Sequence, residues 1–201
     1  MKMFTGIVEA IGKVASVSPA GETAVVRIES SGLDLSDVAI GDSIAVNGVC
    51  LTVKTLGAQS IEFDVSAETL RVTTGFGEGA RVNLEKSLRL DARIGGHLVS
   101  GHVDAVGEIA DVTETDGNRT VSVRFPHSLA RFLARKGSVT INGVSLTVNS
   151  VDSETCSINL IPHTLAATNL GDLSRGSRVN LEIDLVARYV ERMLTVSGAG
   201  S

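Results

Sequence analysis

Short runs in which β-branched residues alternate with polar ones recur along the first half of the chain, at residues 25–28, 43–46, 51–54 and 61–65. A period of two, rich in Val, Ile and Thr, marks strands that bury one face, and Gly, Asn or Asp separates the runs at close spacing. The pattern predicts a small all-β barrel. Asn47-Gly48 stands between two runs, where a two-residue turn needs positive φ at both positions, so a tight hairpin is expected there. Helix is minor: residues 128–136 read as a helix capped by Ser128 and stopped by Gly137, and residues 67–72 as one turn or two.

The pattern then repeats. Ala45-Val46-Asn47-Gly48-Val49-Cys50-Leu51-Thr52-Val53 lies over Thr140-Ile141-Asn142-Gly143-Val144-Ser145-Leu146-Thr147-Val148, 95 residues further on. The same offset sets Thr5-Gly6-Ile7-Val8 over Ser100-Gly101-His102-Val103 and Glu68-Thr69-Leu70 over His163-Thr164-Leu165. After two inserted residues, Arg81-Val82-Asn83-Leu84-Glu85 falls over Arg178-Val179-Asn180-Leu181-Glu182, so each copy closes on the same strand. Separated matches at one offset mean a tandem duplication, with units expected at 1–94 and 95–185. Beyond them, Val186, Tyr189, Val190, Met193 and Leu194 recur at spacings of three and four, an apolar stripe on one helix. Residues 186–201 are expected to be that helix and a tail. The stripe can fold back on its own barrel or pair with its equivalents in other subunits, and the second use is favoured.

Charge narrows the function classes. A net charge of −5 offers no basic surface to nucleic acid, and no apolar stretch approaches the length of a membrane span. The opening residues lack a basic start with an apolar block, which points to the cytoplasm. Cys50 and Cys156 form neither a CxxC pair nor a cysteine–histidine cluster, so reduced thiols and no metal are expected.

Duplication by itself can persist for stability alone, and threonines in strands are commonly structural. The matched residues nevertheless include Thr5/Ser100, Thr52/Thr147, Thr69/Thr164 and Gly6/Gly101, which offer hydrogen bonds and backbone access rather than apolar volume. A polar heterocycle with many donors and acceptors would use them. The mismatches separate reactive from recognising groups: Ile7 against His102, Cys50 against Ser145, Glu68 against His163. His102 suits general acid–base work or a structural hydrogen bond; Cys50 suits a nucleophile or a pocket lining; His97 reads as structural.

Met3-Phe4-Thr5-Gly6-Ile7-Val8 at the start, Gly95-Gly96-His97-Leu98-Val99-Ser100-Gly101-His102 at the junction and the paired Asn-Gly-Val-x-Leu-Thr-Val hairpins together resemble riboflavin synthase of the α-chain type. The resemblance covers almost the whole chain. It implies two tandem closed six-stranded Greek-key-like barrels with a C-terminal α-helix that assembles a homotrimer. It also implies the dismutation of two molecules of 6,7-dimethyl-8-ribityllumazine, by transfer of a four-carbon unit, without metal or redox cofactor. In the family one substrate sits in the N-terminal barrel of one subunit and faces another in the C-terminal barrel of a neighbour.

Carried over by motif, a first site is expected from Gly6, Ile7 and Val8, then Cys50, Leu51 and Thr52, then Asp64, Val65, Ser66, Ala67, Glu68 and Thr69. A second is expected from Gly101, His102 and Val103, then Ser145, Leu146 and Thr147, then Asn159, Leu160, Ile161, Pro162, His163 and Thr164, with Lys136 reaching the ligand of an adjacent subunit. Phe4 is expected beside the reacting rings, His102 to handle the proton, Ser145 and Thr147 to polarise or position, and Cys50 to tune the other ring. Asp184 matches a family acid and suits a general base or a ribityl contact. A non-catalytic lumazine- or flavin-binding protein of the same superfamily is the alternative. Retention of His102, Ser145, Thr147 and Thr164 speaks against it, and the flavin barrel of a reductase would need a strand–GxGxxG–helix unit that is absent.

Overall fold

The computed structural model of the chain describes residues 2–30, 32–115 and 117–198. The end of the expected tail, 199–201, and Met1 of the expected first unit lie outside them. The first copy contributes β1 (Ala10–Ala20), β2 (Thr23–Glu29), β3 (Ser43–Val46), β4 (Val49–Leu56), β5 (Ser60–Ser66), α1 (Ala67–Val72) and β6 (Arg81–Lys86). The second contributes β7 (Ala105–Thr115), β8 (Asn118–Arg124), β9 (Ser138–Ile141), β10 (Val144–Val151), β11 (Thr155–Leu160), α2 (Pro162–Ala167) and β12 (Arg178–Ile183), followed by α3 (Leu185–Gly198).

Both copies close on themselves as antiparallel six-stranded barrels. The order β1-β2-β5-β4-β3-β6 recurs in the second copy as β7-β8-β11-β10-β9-β12. Even the irregularities repeat: register shifts fall after Val14 and Val53, and again after Ile109 and Val148. Such bulges add the local bend that a small barrel needs to close. Inward residues such as Val26, Ile28, Ile61 and Phe63 fill one barrel; Val121, Val123, Ile141 and Ile158 fill the other.

The two hairpins take the expected form. Asn47 and Gly48 have φ of 48° and 78°, and Asn142 and Gly143 have φ of 47° and 80°. What the strand pattern did not foretell is that the tips meet. A Cβ on Gly48 would lie 2.8 Å from Gly143 N. Around this contact the asparagines of each copy serve the other: Asn83 Nδ2 donates to Asn142 O at 2.9 Å, and Asn180 Nδ2 donates to Asn47 O at 2.9 Å. Asn47 Oδ1 and Asn142 Oδ1 in turn accept from the backbone of Asn83 and Asn180. Asn83 and Asn180 point out of their barrels, yet they are almost fully buried because the other barrel covers them.

The helix expected at 128–136 is instead a 3-10 turn, His127–Phe132, with Pro126 at its N-cap. The chain must drop Leu129 and Leu133 into the second core and still reach β9, which a tighter, longer-pitched turn achieves in fewer residues. The expected stop falls differently too, since Lys136 rather than Gly137 takes the left-handed conformation, with φ of 68°. Residues 67–72 form the short helix expected, capped by Ser66, whose side chain accepts from Thr69 N. The C-terminal stripe lies on α3, with Val186, Tyr189, Val190, Met193 and Leu194 all more than half exposed. Among the described residues, no helix is long and apolar enough to cross a membrane.

Replacing Gly48 by Ala imposes both a left-handed Cβ and a clash with the opposite tip, whereas Gly21, with φ of 66° and nothing within 4 Å, suffers only the first. Urea titrations should show a loss of about 1 kcal/mol for G21A and about 3 kcal/mol for G48A. Equal losses would remove the hairpin contact from the account.

Candidate functional site

Each copy opens with a segment that is clamped by its own barrel and read by the other. Glu85, at the end of the first closing strand, accepts from Thr5 N at 2.6 Å, Thr5 Oγ1 at 2.8 Å and Gly6 N at 3.0 Å. Glu182 repeats this with Ser100 N at 2.7 Å, Ser100 Oγ at 2.6 Å and Gly101 N at 3.0 Å. Burial pushes both carboxyls up, Glu85 to about 7, against the opposing pull of the donated hydrogen bonds. Held in this way, the glycine adopts positive φ and turns its carbonyl toward the other copy. Ser145 N donates to Gly6 O at 2.8 Å, and Cys50 N donates to Gly101 O at 2.9 Å.

This exchange corrects the grouping expected from the motifs. Gly6, Ile7 and Val8 accompany Ser145 of the second barrel rather than Cys50, and Val8 packs on the second core. Gly101, His102 and Val103 accompany Cys50, and Val103 packs on the first core. His102 is therefore separated from Ser145. The physical reason is that the opening segments run between the barrels, Phe4 and Val99 forming an antiparallel bridge, so that each emerges on its neighbour's side.

Strand alternation sorts the remaining candidates. Cys50 and Ser145 are half-buried and Thr52 and Thr147 exposed, all on outer faces; Leu51, Val65, Leu146 and Leu160 point into the cores and can offer a ligand only backbone. Phe4 is fully buried with Ala45 and Val99, with Cys50 packed against them, so it lies behind the Cys50 face and does not stand open beside a ring. Asp64 is bound by Lys54 at 2.7 Å and Glu68 by Arg71. Ser66, Ala67 and Thr69 start α1; Ile161, Pro162, His163 and Thr164 stand at the matching start of α2, with Asn159 exposed just before. Lys136 is exposed in its turn. Asp184 caps α3, accepting from Val186 N at 2.9 Å.

His97, read as structural, is bonded to the Ser145 side. His97 Nδ1 lies 2.7 Å from Ser145 Oγ, and its Nε2 lies 3.2 Å from Thr140 Oγ1. Burial lowers its pKa, with the charge of Asp184 acting in the other direction. A neutral imidazole that donates through Nε2 to Thr140 accepts the Ser145 hydroxyl at Nδ1, which makes that oxygen the better acceptor or nucleophile. Among the described residues, Cys50 has no such partner, and His102 beside it is exposed. The glutamate clamps were missed for one reason: on their strands Glu85 and Glu182 occupy positions that would face solvent if the copies stood apart. The acid repeated at the end of both closing strands was the available signal.

Two cavities of about 370 Å³ flank the clamps at equivalent places. One is lined by Thr5, Ile7, Glu9, Glu85 and Arg89, the other by Ser100, His102, Asp104, Arg188 and Tyr189. Among the described residues, no cluster of three His, Cys, Asp or Glu side chains could hold a metal.

Comparison with known proteins agrees with the duplication. The lumazine binding domain matches twice, at residues 5–87 and 100–184. Riboflavin synthase of Photobacterium phosphoreum is 45% identical over 96% of this chain and 90% of its own length. Riboflavin synthase of Bacillus subtilis is 41% identical over the same shares. Among solved structures, LumP in complex with riboflavin superposes with a TM-score of 0.82 at 28% identity, covering 90% of this chain and 98% of LumP. LumP with 6,7-dimethyl-8-(1'-D-ribityl) lumazine gives 0.79 at 28% identity, covering 89% of this chain and 98% of LumP. With two lumazine binding domains in tandem and this identity along nearly its whole length, the chain belongs to the riboflavin synthase family.

Proposed function

We propose that this protein is a riboflavin synthase, an enzyme that joins two molecules of 6,7-dimethyl-8-ribityllumazine by four-carbon transfer to give riboflavin and 5-amino-6-ribitylaminouracil. The observation that carries the reading is the pair of crossed faces, alike in Thr52 and Thr147 but unlike in Cys50 and Ser145. Identical substrates call for shared recognition, and opposite roles in the transfer call for unlike centres. The solved LumP complexes favour simple ligand binding as a second reading, but LumP is 28% identical where the synthases reach 46%.

The reaction begins with loss of a proton from the acidic methyl group on the lumazine ring and continues by attack on the second ring. Holding two rings in contact replaces a bimolecular encounter, a gain worth effective molarities of about 10⁵ M or more in favourable geometries. The neutral His97–Ser145 pair supports the ring on the second barrel by accepting or returning a proton there. Thr52 and Thr147 are exposed, so each face stays open until a second surface covers it. A neighbouring subunit supplies that surface in a homotrimer assembled through the apolar stripe of α3. On this reading 1–94 and 95–185 are the substrate-binding units, 186–201 the assembling segment, and the cytoplasm, where Cys50 and Cys156 stay free, the place of work.

Purified protein mixed with 6,7-dimethyl-8-ribityllumazine alone should develop flavin absorbance; tight binding without riboflavin would leave only the ligand-binding reading. His97→Gln should lower turnover about a hundredfold with little change in substrate affinity, and an unaltered rate would remove His97 from the chemistry. Truncation after Leu185 should leave monomers in sedimentation runs. A surviving trimer would refute the role given to α3.

A further inference from the structure

We propose that Glu85 and Glu182 are positioning residues that act crosswise, Glu182 of the second barrel shaping the Cys50 face of the first, and Glu85 shaping the Ser145 face of the second. The inference rests on the reading of these two faces as the lumazine sites. Each carboxylate ends a chain of bonds that leaves its own barrel. Glu182 Oε2 accepts from Gly101 N at 3.0 Å, and Gly101 O accepts from Cys50 N at 2.9 Å. Glu85 Oε2 accepts from Gly6 N at 3.0 Å, and Gly6 O accepts from Ser145 N at 2.8 Å.

The glycines at the crossing have no slack. A Cβ on Gly101 would stand 2.6 Å from Cys50 Cβ, and one on Gly6 2.6 Å from Ser145 Cβ. A small shift of either glycine therefore reaches the residue on which the two faces differ. Both carboxylates are buried, with 6% and 2% exposure, so the loss of any one of their bonds is costly. A purely local structural role makes the opposite prediction. Glu85 stands across from Ala45, which stands across from Cys50, so within its own barrel Glu85 is the nearer acid to that thiol.

Cys50 supplies the readout, because it is partly exposed while Cys156 is 2% exposed, with burial pushing the Cys156 thiol up to about 11. In E182Q the amide keeps an oxygen for Ser100 but sets an NH₂ against Gly101 N–H, donor against donor. Alkylation of Cys50 by iodoacetamide in the full-length protein should then quicken by about fivefold or more, whereas E85Q should stay within about twofold of wild type. A larger effect from E85Q, or equal effects from both, overturns the proposal. If either Gln variant fails to fold, Ser100→Ala and Thr5→Ala decide in its place: S100A should accelerate alkylation and T5A should not, and the reverse order overturns the proposal. A parallel run on wild type with 6,7-dimethyl-8-ribityllumazine keeps the two questions apart. Failure of the ligand to slow alkylation counts against the Cys50 face as a lumazine site, while the ligand-free rates still judge the crossing.

Discussion

The joining of the two barrels depends on two glycine carbonyls, each passed from one barrel to the other. Gly6 and Gly101 can make that hand-over because they tolerate positive φ and because a buried carboxylate holds the N–H of each from behind. Ionisable groups are rarely buried without compensation, and here three donated hydrogen bonds offset part of the cost of burying each glutamate. The asparagine lattice at the hairpin tips repeats the logic with neutral groups. Two barrels that could each have closed as independent units are thereby locked into one object with crossed faces.

Much of this was legible in the sequence. The duplication, the two-residue hairpins, the closing strands and the terminal helix all rest on local pattern, and all appear where the pattern set them. The longer helix at 128–136 did not, because the burial of Leu129 and Leu133 together with a short path to β9 outweighed the local capping signals. The site was legible as a set of residue types but not as a grouping. Which opening segment serves which barrel is a long-range property of chain crossing, and repeat alignment puts Ile7 with Cys50 as naturally as it puts His102 with Ser145. Asn83 and Glu85 were obscured in the same way, since alternation marks a face as outward without saying that a second barrel will cover it.

The functional consequence lies in asymmetry built on symmetry. Equivalent backbone crossings present Cys50 on one side and Ser145 on the other, and Ser145 meets an imidazole that burial keeps toward its neutral form. Exposed Thr52 and Thr147 offer the same hydroxyl on both sides. A chain built in this way can bind one molecule twice and treat it in two ways, which is what a dismutation between identical substrates requires.

The crossing itself is tested most directly by determining the structure of the full-length protein saturated with 6,7-dimethyl-8-ribityllumazine. The ring on the Cys50 face should lie beside His102 and Val103, and the ring on the Ser145 face beside Ile7 and Val8. A ring on the Cys50 face in contact with Ile7 and Val8 would contradict the crossing.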